Sequence, residues 1–426
     1  MQQLSSLKKF PAIKASELVL VFFILTRIIP AFLSFPCITD VPLYLTYFQK
    51  LDLGLKPYSQ FNLEYPPLTL IFIYFPRLLL KEINLKDINF VPYYLSFAFF
   101  MFLVDFFCLK TCQLYCKKRL LMTEKEISYM GFLYTLFTLA MFRLLYHRLD
   151  IVVALIFTTS LFFFEAKNPK LKTSFFINAL VGFFYKIVPV FTLPIAIIFK
   201  SVNSKKMVKI ICLQSLFFIT SLILIICALE IYTDHNFIKN MMIHSQRGIQ
   251  VESTYSSFLM LNNLLHNEHS SIYYEFSHNI KVGGFYAEMI IKFLVIFILL
   301  LFYAALLWIL FNKNKLGRRI IISENHFLEA TLITILLILS FQKVLSTQFF
   351  VWLAPIAAIW LAKNHSWKFL AIFSFIFLAS SFIFSDYFNL IEEKPIFVIA
   401  LFLRNILLIF VTCFLTHRFL KNLSNV

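Results

Sequence analysis

The chain has 426 residues, of which 60% are hydrophobic and 14% charged, and its mean hydropathy is +0.81. A soluble domain averages about 45–50% apolar and about 25% charged residues. These numbers exclude a soluble enzyme, a disulfide-stapled secreted scaffold, a disordered chain and a nucleic-acid-binding domain, and leave an all-α polytopic membrane protein. A membrane β-barrel would alternate in polarity along short strands, and these apolar runs do not.

The net charge of +17 follows from topology, since cytoplasmic loops of membrane proteins collect Lys and Arg. Basic clusters lie at 1–16, 115–126, 167–172, 200–209, 312–326, 363–368 and 417–426. They hold 22 of the 39 basic residues and three acids, Glu124, Glu126 and Glu324. Both termini therefore belong on the cytoplasmic side. Only seven glycines occur, and no phosphate-cradling glycine motif is present, so no nucleotide-binding unit is expected.

Lys8, Lys9 and Lys14 precede an apolar run over 17–36, which reads as an uncleaved first span. Two further apolar runs, near 66–80 and 90–114, precede the next basic cluster. Three crossings would put that cluster on the wrong side, so one run does not cross. The 66–80 run is the shortest and opens with Pro66 and Pro67. It is expected to be an interfacial helix inside a long first outer loop over 37–89. Cys37 falls in that loop. Cys108, Cys112 and Cys116 repeat every four residues, one helical stripe, expected to pack rather than bind metal.

Spans are expected over 127–145 and 150–166. The 27 residues of 173–199 have Lys on both flanks and are too few for two full crossings. Lys186 lies mid-segment, followed by Pro189 and Pro194. Two short helices should meet near Lys186–Pro189, because irregular backbone at depth is tolerated only where it lines a cavity or is buried in protein. Further spans fall at 210–232, 287–312, 327–341, 349–362, 368–384 and 396–416, with a second long outer loop over 233–286. The total is about twelve passes (10–13) in one integral-membrane domain, 1–426.

Ionisable residues are costly in membranes, and here they gather at outer ends of spans. Asp40 either N-caps the helix that follows, whose apolar stripe runs from Leu43 to Leu51, or offers a carboxylate for chemistry. Glu64 and Tyr65 precede Pro66–Pro67, where Glu64 is either a helix cap or part of a site. His147, Arg148 and Asp150 form a short turn, an interhelical lock or a phosphate contact. His244, Arg247 and Glu252 lie in the most polar part of the second outer loop. Gln342 to Gln348 lead into Phe349, Phe350 and Trp352, which fit an interfacial aromatic belt. Carboxylates and cations at one depth point to an anionic-lipid site with an acid beside it.

Six pieces in order resemble the GT-C superfamily of integral-membrane glycosyltransferases. They are Asp40–Tyr44 with Gly54–Tyr58; Glu64–Pro67; Arg148–Asp150; Lys186–Pro189; His244 through Arg247–Gly248 to Glu252–Ser253; and Lys343–Trp352. The closest groups are the bacterial polyprenyl-phosphate-mannose-dependent alpha-mannosyltransferases and the catalytic subunit of GPI mannosyltransferase I. The resemblance implies an inverting transfer of one sugar, mannose, from a polyprenyl-phosphate donor to a glycan or glycolipid acceptor. Transfer would occur on the non-cytoplasmic face of a bacterial inner membrane or of the endoplasmic reticulum. It implies Asp40 as general base, Lys186, Arg148 and Arg247 on the donor phosphate, and Glu64, Tyr65, Asp150, His244 and Gln348 orienting sugars or basic groups. Many GT-C members carry two neighbouring acids in the first outer loop, whereas Val41 follows Asp40 here. Neither a metal nor a cofactor is expected, and the partners are the two substrates and the bilayer, with no nucleic acid. The rival readings are a lipid-linked-glycan flippase or transporter, kept open by Arg27 and Asp105 within spans, and a polysaccharide polymerase or ligase.

Overall fold

A backbone in hydrocarbon must satisfy its own hydrogen bonds, so the apolar runs of this chain fold as helices and its polar segments as their connections. The computed structural model describes residues 15–33, 40–80, 88–168, 170–242, 248–266, 273–275, 279–281, 285–317 and 320–425. It is 80% helical.

The first part of the chain comprises α1 (Ala15–Leu33), α2 (Val41–Asp52), α3 (Thr69–Tyr74), α4 (Arg77–Leu80), α5 (Phe90–Lys118), α6 (Glu124–Ala140), α7 (Phe142–Leu145) and α8 (Asp150–Phe163). Next come α9 (Thr173–Lys186), a 3-10 turn (Val188–Thr192), α10 (Leu193–Ser201), α11 (Met207–Tyr232), α12 (Phe237–Met241), β1 (Ile249–Gln250), α13 (Thr254–His266), β2 (Tyr273–Glu275) and β3 (Asn279–Lys281). The remainder is α14 (Phe285–Lys315), α15 (Glu324–Phe341), a 3-10 turn (Thr347–Phe349), α16 (Phe350–Asn364), α17 (Trp367–Ser385), α18 (Tyr387–Ile391) and α19 (Pro395–Asn425).

Among the described residues six helices are long and apolar enough to cross a membrane: α5, α11, α14, α15, α17 and α19. This gives the chain the character of a membrane protein. α11 makes the point most directly. Leu213, Phe217, Ile223, Leu224 and Ile231 are all exposed along it, and a helix apolar all round needs a core or a bilayer about it. Local signals set the helix starts. The Asn89 side chain accepts from Val91 N at 3.2 Å, and Thr123 with Glu126 forms a capping box at α6. Every residue of α16 from Phe350 to Ala362 is buried, with α6, α8, α15 and α17 packed against it. The Cys108–Cys112–Cys116 stripe is buried on α5, where Cys108 Sγ lies 3.4 Å from Thr158 Oγ1 of α8.

Arg27 and Asp105 meet at 2.8 Å and are 3% and 0% exposed. Tyr134 and Tyr146 hydroxyls donate to the same carboxylate at 2.5 and 2.9 Å. Arg27 also donates to Thr138 Oγ1 at 2.6 Å. This network ties α1, α5 and α6 together with every charge answered.

The helices run back and forth, and their connections gather at two ends. At one end the basic segments meet. Glu165 binds Arg119 and Lys172, each at 2.6 Å; Lys200 donates to the Glu165 and Asn168 carbonyls; Glu324 accepts from Ala166 N at 2.8 Å. Asn203 exchanges bonds with Ile320, and His365 reaches Glu126 at 3.4 Å. The other end carries the first loop, the 146–149 turn, the α9–α10 junction and the 342–349 connection.

The structure departs from the sequence reading in two places. The 66–80 run is not one helix, because Pro76 breaks it into α3 and α4. The 233–286 segment holds α12, α13 and an antiparallel sheet of order β1-β3-β2, with Ile249 opposite Ile280 and Tyr274 opposite Ile280. A second small core forms under it from Val251, Met260, Ile383, Leu390, Phe397, Val398 and Leu401. Cys37 lies outside the described residues.

Lys172 and then Arg119 hold the Glu165 carboxyl at about 2, below its ordinary 4.5. A depressed carboxylate adds stability above its unfolded value and loses it as pH falls through the folded value. The contribution of Glu165 is therefore whole above about pH 4.5 and fades toward pH 2. Thermal unfolding in detergent should show Glu165→Gln less stable than wild type at pH 6, with the gap narrowing by pH 3. A gap independent of pH would contradict this.

Candidate functional site

Asp40 precedes α2 with φ −84° and ψ −3°, and its side chain makes no cap to the helix. Its Oδ2 instead accepts from the Tyr65 hydroxyl at 2.9 Å and forms an ion pair with Arg148 Nη1. The carboxylate is thus turned away from the helix, toward Tyr65 and Arg148. Glu64 is likewise no cap, because α3 begins at Thr69 with Leu68 at its N-cap. Glu64 is partly buried beside Tyr65.

The first loop is held in shape by its own bonds. Tyr58, at φ +68°, donates its hydroxyl to the Tyr65 carbonyl at 2.6 Å, and its amide binds the Phe61 carbonyl at 2.9 Å. Asn240 of α12 donates to the Tyr58 carbonyl at 3.3 Å. Leu68 N binds the Phe184 carbonyl at 3.0 Å, which joins this loop to the end of α9.

α9 stops at Lys186. Ile187 takes φ +60°, an uncommon conformation for a β-branched residue that costs of order 1–3 kcal/mol. The chain then turns back through Pro189. A Cβ on Gly182 would lie 2.7 Å from the Pro189 Cβ, so only glycine lets the returning segment pack this closely. The two short helices expected around Lys186–Pro189 are therefore present, and the break presents Lys186 to Asp150 at 2.6 Å. The same Asp150 Oδ1 accepts from Trp352 Nε1 at 2.7 Å. The Lys186 ammonium lies 5.0 Å from the Phe349 ring and 5.3 Å from the Trp352 ring, and those two rings stack at 4.4 Å. The Tyr185 hydroxyl fixes the Leu149 carbonyl at 3.0 Å, beside Arg148.

Five residues singled out in the sequence thus meet here: Asp40, Tyr65, Arg148, Asp150 and Lys186. Gln348 lies in the turn before Phe349, its Oε1 buried without a hydrogen-bond partner among the described residues. His244 and Arg247 lie outside the described residues. Arg148 is 16% exposed. Burial pulls its guanidinium down to about 10, Asp150 offsets part of that, and Tyr387 and Glu252 also act on it. It stays charged at neutral pH. The neighbouring His147 stacks on Tyr94 at 4.8 Å, and burial pulls its imidazole down to about 4, so it is neutral.

The cluster lies at one level along short helices. α8, α9 and α16 have 14, 14 and 15 residues, or about 21–22 Å at 1.5 Å per residue. That is the distance from the basic end to Asp150, Lys186 and Phe350.

A second buried pair braces the site from behind. Arg404 Nη1 meets Glu252 Oε2 at 3.2 Å, with exposures of 0% and 1%, and Nη2 donates to the Glu252 carbonyl at 2.7 Å. Asn405 donates to the Glu252 and Ser253 carbonyls, and Thr347 donates to the Glu252 carboxylate. Gln250 N binds the Lys343 carbonyl at 3.0 Å. Glu252 therefore couples the second loop and α19 to the turn that carries Gln348, Phe349 and Trp352.

Sequence reasoning missed Arg404 and Tyr185 and gave Trp352 no role in the cluster. Arg404 carried a usable signal, being an ionisable residue inside an apolar run. Trp352 was visible as a belt aromatic, but the direction of its N–H was not. Among the described residues no three His, Cys, Asp or Glu side chains converge as a metal site would require. Compared with known proteins, the chain matches no family model and no curated sequence.

Removing one partner of a buried pair strands the other, at about 3–5 kcal/mol. Arg404→Leu should lower unfolding stability in detergent by that amount, whereas Lys117→Ala, at an exposed pair with Glu124, should change it by less than about 0.5 kcal/mol. Equal effects would show that Arg404 bears no such load.

Proposed function

We propose that this chain is an inverting glycosyltransferase of GT-C type that moves one sugar from a polyprenyl-phosphate donor to a glycan or glycolipid acceptor. The observation that carries this reading is the bonded cluster of Asp40, Tyr65, Arg148, Asp150 and Lys186, drawn from four segments far apart in the chain. A carboxylate, Asp40, beside a cluster with two cations, among helices with apolar outer faces, suits a hydroxyl acceptor and a lipid phosphate together.

In this reading twelve helices cross the bilayer: α1, α5, α6, α8, α9, the 188–201 segment ending in α10, α11, α14, α15, α16, α17 and α19. The gathered basic segments lie in the cytoplasm and the cluster faces the opposite side. With a hydrocarbon core about 30 Å thick, helices about 21 Å long leave the cluster below the far surface. A lipid phosphate can reach it there without leaving the membrane.

Asp40 takes the proton of the acceptor hydroxyl as that oxygen attacks the anomeric carbon from the face opposite the phosphate. The bond from that carbon to the phosphate oxygen breaks, its electron pair goes to the phosphate, and the configuration inverts. Lys186 and Arg148 stabilise the charge that develops on the leaving phosphate. Asp150 and Trp352 hold Lys186 in place, Tyr65 orients Asp40, and Glu64 and Gln348 face the sugars. Mannose as the sugar follows from the resemblance. A transport reading had leaned on Arg27 and Asp105, which are spent on each other and on neighbouring hydroxyls.

Membranes containing the wild type should transfer sugar from radiolabelled polyprenyl-phosphate-mannose. Asp40→Asn should leave expression intact and lower turnover about 10²–10⁴-fold, the scale of a lost general base. Near-normal turnover in the variant would remove Asp40 from that role. Redistribution of the lipid across the bilayer with no covalent product would replace the enzyme by a transporter.

A further inference from the structure

Arg148 stands between the two halves of this site, with Asp150 acting on it electrostatically. Its Nη1 is bonded to Asp40. Its Nε is buried with no hydrogen-bond partner among the described residues. Two residues on, Asp150 holds Lys186. A guanidinium has five N–H donors in a planar fork, and one ion pair to Asp40 leaves most of them for a second anion on the Lys186 side. Arginine, unlike lysine, can serve two anions at once in this way.

The charges that change during transfer make this position consequential. A lipid phosphate bearing a sugar is a phosphodiester with one negative charge. Once the sugar leaves, it is a phosphomonoester that gains a second. Over the same step Asp40 accepts a proton and loses its charge. One unit of negative charge therefore disappears at Asp40 and appears on the phosphate. A cation fixed to either place would favour only one side of the reaction. A cation between them follows the charge.

We infer that Arg148 is a shared cation that passes from Asp40 to the donor phosphate as the sugar is transferred. This rests on the glycosyltransferase reading above and assigns Arg148 more than a phosphate contact. While paired with Arg148, Asp40 is a weak base, since a neighbouring positive charge favours the carboxylate. As the guanidinium turns to the phosphate, the carboxylate is released to take the acceptor proton. Its protonation in turn frees Arg148 altogether. The interaction is strongest where both changes are under way, which is the condition for it to accelerate the step. Donor binding thereby precedes productive acceptor binding. Tyr65 keeps Asp40 in position through the exchange, because its hydroxyl bond to Oδ2 at 2.9 Å does not depend on Arg148.

The test is the affinity of the full-length protein, in lipid nanodiscs, for polyprenyl phosphate carrying no sugar. Asp40→Asn mimics the protonated acid and frees Arg148. It should bind this lipid about 10-fold more tightly than wild type, the scale of coupling between contacting charged groups. In an Arg148→Gln background the same Asp40→Asn change should alter affinity less than about twofold, because no shared cation remains. Tyr65→Phe, which removes a neutral donor from the same carboxylate, should leave the affinity near wild type. Asp40→Ser serves the same cycle if Asp40→Asn unfolds. A gain of equal size with and without Arg148 would reduce the effect to the removal of a nearby negative charge and overturn the proposal. No gain in either background would overturn it as well. Wild type that binds the lipid saturably while the cycle shows no coupling leaves the glycosyltransferase reading standing alone. Wild type that shows no saturable binding of polyprenyl phosphate removes that reading and this proposal together.

Discussion

Charge cannot be left unanswered between apolar helices, and the ion pair of Lys186 with Asp150 is where this constraint shapes the site. The pair lies where α9 ends, and the chain accepts a positive φ at Ile187 to end it there. Gly182 lets Pro189 close against the helix, and Trp352 adds its N–H to the same carboxylate oxygen. The first loop is then docked by the bond from Leu68 to the Phe184 carbonyl. That docking brings Tyr65 and Asp40 to Arg148. Without the break after Lys186 the helix would run on past Asp150, and the first loop would have no helix end to bind.

The other buried ion pairs serve the same frame at a distance. Arg27 with Asp105 joins α1, α5 and α6. Arg404 with Glu252 fixes the second loop and the turn before α16. Each is closed by further hydrogen bonds, which is what makes a buried pair tolerable. The pairs near Asp40 are more open, with Arg148 keeping a buried donor unused among the described residues. The contrast sets groups whose hydrogen bonds are closed apart from groups that keep donors open.

Much of the helical layout was legible because hydrocarbon demands long apolar runs. The runs expected over 210–232, 327–341 and 368–384 appear as Met207–Tyr232, Glu324–Phe341 and Trp367–Ser385. Lys186 ahead of Pro189 and Pro194 marked the α9 break for the same reason, since a cation there needs a partner. The first loop was harder. Pro76 interrupts what reads as one apolar stretch, and neither hydropathy nor periodicity foretold the turn at Tyr58. The strands of the second loop are two or three residues long, too short for a repeat to show. Asp40 could be read as a cap or as a site residue, and only the structure shows that it makes no cap and bonds to Tyr65 and Arg148 instead. The Arg404–Glu252 pair joins residues 152 apart, a contact that a single sequence does not encode legibly.

The central claim is that the first loop, the 146–149 turn, the end of α9 and the turn before α16 form one site for a lipid phosphate. An electron cryomicroscopy structure of the full chain in nanodiscs with polyprenyl phosphate tests it most directly. The account predicts phosphate density within hydrogen-bonding distance of both Lys186 Nζ and the Arg148 guanidinium, with Asp40 facing the same space. Phosphate density at the opposite end, among Arg119, Lys172 and Lys200, would contradict it.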